Sequence, residues 1–226
     1  MKFLMIILLL SFSVIGHAHA EEKSFGFNLK ASYGYQSYNL KINGLEVFDE
    51  TVPAMAASLS VSYGDWLLSA THRRSKSDYG VFGGDFYRGD GTIQLGKSYY
   101  SEGDTSYGSF TYFGGYQSSV IELKENVYEV IDVDGLNFGV SYLGGKFGSD
   151  WAYYWGVQGS IQKINSTDLS IDEYKFGLMF NAGIRYYFYN NFSAFSEFTH
   201  FKNSCSSDSP FCETLSYLQA GLSYDF

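Results

Sequence analysis

The chain has 226 residues and a formal net charge of −9, a balance that argues against nucleic acid as a partner. Aromatic residues make up 19% of it and charged residues only 17%, against about 25% charged in an ordinary soluble domain. Beyond residue 20 no apolar stretch reaches helix-spanning length, so a membrane location would require a closed barrel, since open sheet edges are not tolerated in hydrocarbon.

Residues 1–20 read MKFLMIILLLSFSVIGHAHA: one cation, Lys2, an apolar run from Phe3 to Ile15, then Ala18-His19-Ala20. This is the pattern of a secretory signal peptide, with cleavage expected after Ala20. The remaining 226 − 20 = 206 residues, 21–226, are expected to form one barrel domain with a net charge of −10 once Lys2 is removed.

From Ser24 to Tyr35 the residues Phe25, Phe27, Leu29, Ala31, Tyr33 and Tyr35 alternate with Gly26, Asn28, Lys30, Ser32 and Gly34. A period of two predicts a strand. The same alternation places strands at 24–35, 54–63, 66–75, 91–100, 107–118, 135–146, 151–163, 174–189, 192–202 and 214–226. Each is close to or above the ~9–11 residues a tilted strand needs to cross a bilayer. Ten is an even number, as bacterial single-chain barrels require.

The connections alternate between long ones (36–53, 76–90, 119–134, 164–173, 203–213) and short ones (64–65, 101–106, 147–150, 190–191). Long outer loops and short periplasmic turns form the outer-membrane pattern. Beside the short turns stand Tyr63 and Trp66, Tyr99 and Tyr107, Phe147 and Trp151, Phe188 and Phe192, and finally Phe226, which read as the periplasmic aromatic girdle. A soluble barrel of lipocalin type would carry its charges outside. Here the second face is mostly Gly, Ser, Thr, Asn and Gln, too weakly charged for that exterior.

Several polar residues are candidates for more than architecture. The alternation turns Lys30, Arg73, Lys175, Arg185, Glu197 and Asp225 inward, where charges in a low-dielectric lumen should pair. Cys205 and Cys212 bracket SSDSPF in the last long connection, and an exported chain with two close cysteines is expected to join them in a disulfide. The outer connections are acidic, with Glu122, Glu125, Glu129, Asp132 and Asp134 in one and Asp168, Asp172 and Glu173 in another. A solvated face is their default meaning. Arg88-Gly89-Asp90 resembles an integrin-binding tripeptide, but chance and turn propensity explain it better. No metal-ligand spacing or cofactor motif is present.

Signal peptide, alternating Gly-rich strands and a final Leu222-x-Tyr224-x-Phe226 together resemble the bacterial outer-membrane β-barrel proteins. The stretch from Phe176 to Phe226, with AGIRYYFYNNFSAFSEFTH and LQAGLSYDF, is similar to the closing hairpin of the small opacity-type and adhesin-type barrels. The resemblance implies residence in the outer membrane of a Gram-negative bacterium, contact with its lipid and lipopolysaccharide, and insertion by the barrel-assembly machinery. Leu222, Tyr224 and Phe226 would be the assembly signal. Small adhesin-type barrels have eight strands, which stays as the alternative to ten. Ten strands resembles the omptin surface proteases, but their Asp two residues before a His is absent, since Ala70 precedes His72 and Phe198 precedes His200. The His-x-Ser pattern of lipid A deacylases fails likewise at Arg74 and Lys202. The expectation is therefore a non-enzymatic surface-interaction or structural barrel with long outer loops and a narrow or plugged lumen. The alternatives are a porin-like channel for small solutes and a membrane-embedded lipid-modifying enzyme.

Overall fold

The computed structural model describes residues 25–77, 85–124, 128–189, 191–205 and 209–226. The expected signal peptide, 1–20, lies outside them. Among these residues the chain forms ten strands: β1 (Phe25–Ile42), β2 (Leu45–Tyr63), β3 (Trp66–Ser77), β4 (Asp85–Glu102), β5 (Ser106–Lys124), β6 (Tyr128–Lys146), β7 (Trp151–Ser166), β8 (Ile171–Tyr189), β9 (Phe192–Asn203) and β10 (Phe211–Asp225). Each pairs antiparallel with its sequence neighbours, and β1 pairs with β10, so the sheet closes into an up-and-down barrel. The count of ten settles the choice against eight.

The long connections are corrected by the structure. Most of 36–53, 119–134 and 164–173 is strand, and β4 begins at Asp85 and β10 at Phe211. β1 and β2 are joined by Asn43 and Gly44 alone, with φ of 51° and 78°. Two positive φ values make the tight turn whose twist matches that of the flanking strands.

The reason lies in the side chains. β1 keeps one phase throughout, with odd positions outward and even positions inward. Up to Tyr35 the outward residues are apolar; beyond it Ser37, Asn39 and Lys41 face out while Tyr38, Leu40 and Ile42 are buried inside. β7 behaves alike: Trp151, Tyr153, Val157 and Ile161 face out, followed by Lys163 and Asn165, while the inward series changes from Gln158, Ser160 and Gln162 to Ile164. One strand thus meets two solvents. In hydrocarbon the apolar side must point out, and in water it must point in. With 18 residues in β1 and 19 in β2 and β8, these strands exceed the ~9–11 needed to span and carry the barrel into water.

The register sets the bore. Stepping directly across strands, the inward row Gly26, Ser62, Leu67, Gly96, Phe113, Gly139, Gln158, Met179, Phe201, Leu215 returns to β1 at Tyr38, an offset of 38 − 26 = 12 residues. Ten strands with this stagger, at the usual strand spacing, give a tilt of about 40° and a backbone radius of about 10 Å. That bore is open where side chains are small and filled where they are large. Close approach also demands glycine at the seam: a Cβ on Gly34 of β1 would run into the Leu218 carbonyl oxygen, and one on Gly221 of β10 into that of Ala31.

Candidate functional site in the barrel interior

The interior is layered along the barrel axis. At the short-turn end and through the middle lies a cavity of about 530 Å³, walled by Ser, Thr, Asn and Gln and by apolar side chains such as Phe113 and Phe195, together with Lys30, Arg73, Arg185 and Glu197, and reaching Arg88 and Asp90 at its upper end. Its amides form a chain: Gln94 Nε2 donates to Asn137 Oδ1 at 3.1 Å and to Gln158 Oε1 at 2.9 Å, and Gln158 Nε2 donates to Gln117 Oε1 at 3.4 Å. Glu197 accepts from Gln219 Nε2 at 2.7 Å and from the Thr199 hydroxyl at 3.2 Å. Lys30 Nζ stands 5.8 Å from the centre of the Phe195 ring. Arg185 donates to the Tyr187 hydroxyl at 3.5 Å. At the rim Asn28 Nδ2 donates to Asp225 Oδ1 at 2.5 Å and to Ser223 Oγ at 2.6 Å.

Above the cavity is a charged layer. Arg88 Nε donates to both oxygens of Asp90, at 2.9 and 3.1 Å, and the guanidinium pairs with Glu213. Its Cζ also lies 5.2 Å from the Tyr38 ring centre. Arg73 Cζ stands 4.2 Å over the ring of Tyr217. Lys175 Nζ pairs with Glu173 Oε2 at 3.0 Å and donates to Ser209 Oγ at 2.7 Å. Tyr38 and Arg88 lie beyond the apolar outer band. Burial pushes the Tyr38 phenol up to about 12, against the pull of Arg88. Burial alone would lower the Arg88 pKa, but Asp90 and Tyr38 outweigh it and hold it above its ordinary value.

The third layer is apolar. Tyr38, Leu40, Phe48, Phe86, Ile121, Ile131, Ile164 and Phe211 belong to one cluster inside the water-facing end of the barrel. Leu40, Ile121 and Phe211 are 0% exposed. Phe48 and Phe86 stack at 4.2 Å, with Tyr38 5.2 Å from Phe86. Each such side chain contributes about 1.5–3 kcal/mol of burial.

All six expected lumen charges lie on inward positions: Lys30, Arg73, Arg185 and Glu197 wall the cavity, Lys175 is buried above it, and Asp225 sits at the rim. Arg88, Asp90, Glu173 and Glu213 were missed. Arg88-Gly89-Asp90, expected within the 76–90 connection, is on β4 with both charged side chains inside and pointing at each other. Of the acidic series, Asp132 and Asp172 face out on β6 and β8, and Glu125 lies outside the described residues. Cys205 and Cys212 form a disulfide between the end of β9 and the start of β10, with 206–208 outside the described residues.

On the outside, Tyr63, Trp66, Phe147, Trp151, Phe188 and Phe192 are exposed at the short-turn end. Their rings pack against neighbours: Phe25 with Tyr63 at 4.6 Å, Trp151 with Tyr186 at 4.7 Å, Phe192 with Tyr224 at 4.5 Å. Tyr107, grouped with them from the sequence, falls on the inward phase with Ser109 and Thr111. Leu222 and Tyr224 face out, and the Phe226 amide donates to the Phe27 carbonyl at 2.8 Å, holding the chain end to β1. His72 and His200 also point outward. His200 Nδ1 lies 2.9 Å from Ser216 Oγ, its direct cross-strand partner, a pair that the search for His-x-Ser within one strand could not find.

An apolar outer band, an aromatic rim and a polar lumen on a closed sheet decide the class. The architecture is that of an outer-membrane β-barrel. No family model and no curated protein matches the sequence. Solved structures of similar shape include Neisserial surface protein A (12% identity, 89% of this chain and 97% of that one, TM-score 0.39). Others are the translocator domain of the autotransporter NalP from Neisseria meningitidis (11%, 100% and 95%, TM-score 0.45) and an outer-membrane channel from Pseudomonas putida F1 (9%, 93% and 100%, TM-score 0.44). At these scores nothing of their individual functions carries over to this barrel.

Proposed function

We propose that the barrel is an integral outer-membrane protein with a surface-interaction or structural role, exported by its signal peptide and closed to solute passage. The observation that carries this reading is the apolar layer that fills the water-facing end, from Tyr38 and Leu40 on β1 to Phe211 on β10. A solute path would need polar groups and space at a level where the described residues place buried apolar side chains. The short turns and both chain ends then lie in the periplasm, and the β1–β2 hairpin and the disulfide-stapled β9–β10 connection lie outside the cell. A staple of this kind preorganises a surface for a partner. Lipopolysaccharide is the adjacent partner: His72, Arg74 and Lys76 follow one another on the outward side of β3, past the last apolar residues, where phosphates would lie. Conductance in planar bilayers tests the closed lumen. Silence is expected, and a large stable conductance would install the channel.

A second reading, membrane-embedded lipid modification, is favoured by one observation, the outward His200–Ser216 pair. A hydrolytic base also needs an orienting group and donors for an oxyanion. None is seen beside this pair among the described residues. Phospholipid or lipid A hydrolysis lost on His200→Ala and on Ser216→Ala would establish it.

A further inference from the structure

We infer that the cavity is a binding site for a small oxyanion, a carboxylate or phosphate, which enters from the short-turn mouth. Only the side of entry rests on the closed-lumen reading above; binding itself does not.

The cavity wall is richer in cations than in anions. Against a net charge of −9 overall, the cavity walls carry Lys30, Arg73, Arg88 and Arg185 but only Asp90 and Glu197. Arg88 is taken by Asp90 and Glu213. Glu197 accepts from Gln219 and Thr199, neutral donors that leave its negative charge in the cavity. Lys30, Arg73 and Arg185 are left without an ion pair among the described residues. Arg185 is only 8% exposed and its Nε has no hydrogen-bond partner, and the buried Nε of Arg73 has none either. A guanidinium cannot shed its proton to escape burial, and a desolvated charge without a counter-charge is costly. Glu197 and Asp225 lie near enough to act on Lys30, but the Nε groups of Arg73 and Arg185 are left without an acceptor among the described residues, which an oxyanion held in the cavity would supply.

The geometry indicates where it would sit. Arg185 faces Phe195 directly across β8 and β9, and Lys30 stands over the same ring from β1, so two cations flank one apolar wall. The Ser, Thr and Gln side chains around them can donate to the remaining oxygens of an anion. A volume of about 530 Å³ falls in the range of small-ligand sites. Entry from the other end is blocked by the apolar layer, whereas Lys30, Ser60, Ser98 and Ser109 toward the short turns are partly exposed.

The test uses the full barrel, refolded in detergent micelles and titrated calorimetrically at low ionic strength. Inorganic phosphate and succinate are the two probes, in separate arms, and tetramethylammonium is added as a cation control. Saturable heat is expected with at least one anion and none with the cation, and the responding arm identifies the oxyanion class. Lys30→Gln and Arg185→Gln, each confirmed as folded by heat-modifiable migration, should weaken binding at least tenfold. Glu197→Gln, which removes a competing negative charge, should tighten it several-fold, a change that mere loosening of the wall cannot produce. Absence of saturable binding by the wild-type barrel to either anion overturns the inference, as does unchanged affinity in the folded Lys30→Gln variant.

Discussion

Arg88 on β4 and Glu213 on β10 form an ion pair inside the barrel, with side chains 5% and 0% exposed. The two strands are not neighbours in the sheet, so the pair reaches across the interior. Removing one partner of a buried pair leaves the other uncompensated, at about 3–5 kcal/mol. Arg88→Gln strips Asp90 and Glu213 of their shared cation and should lower the stability of the refolded barrel by that order, whereas Glu213→Gln leaves Arg88 with Asp90 and should cost less. A combined replacement, Arg88→Met with Glu213→Leu and Asp90→Asn, should recover most of the Arg88→Gln loss. Urea titrations followed by tryptophan fluorescence would measure this, and a combined variant no more stable than Arg88→Gln would refute the pairing.

The apolar layer makes stability and closure the same property. Leu40→Ala and Phe211→Ala each remove a fully buried side chain and should cost about 2–5 kcal/mol. In planar bilayers the wild-type barrel should be silent, while the combined variant should show intermittent conductance. Full silence in a folded double variant would mean that the charged layer beneath closes the lumen by itself.

The change of solvent along each strand can be read out by depth. Val157 lies within the apolar outer band of β7 and Asn165 beyond it. Val157→Lys should destabilise the inserted barrel by about 2–4 kcal/mol, and Asn165→Lys by about 0–1 kcal/mol. Equal effects at the two positions would remove the boundary placed between Ile161 and Lys163.

The short-turn end of the β1–β10 seam carries the chain end. Phe226 donates its amide to Phe27 and sets its ring edge-on to Tyr224 at 4.4 Å. Deleting Phe226 should reduce the fraction of heat-modifiable, folded barrel in the membrane without altering barrels already inserted. Gly34→Ala should act at the same seam, because its Cβ meets the Leu218 carbonyl. Normal insertion of both variants in pulse-chase experiments would show that assembly does not depend on this seam.

What the sequence determined by itself is the element type, the strand count and the phase of most strands, Tyr107 on β5 being the residue expected outside that faces in. Period two survives any environment, so Lys30, Arg73, Lys175, Arg185, Glu197 and Asp225 could be assigned to the inner face from parity alone. The strand ends could not be set in the same way. A reading that follows apolar residues outward stops at Tyr35, where water replaces lipid and the apolar residues change sides, although the backbone continues to Ile42 and turns at Asn43-Gly44. The hairpin signal was in the sequence, inside a segment assigned to loop. Arg88 with Glu213 is different in kind. The two meet because ten strands close with an offset of 12 residues, and that offset is a property of all ten registers together. No local stretch encodes it, so only the closed barrel decided which charges share the lumen and which remain without a partner.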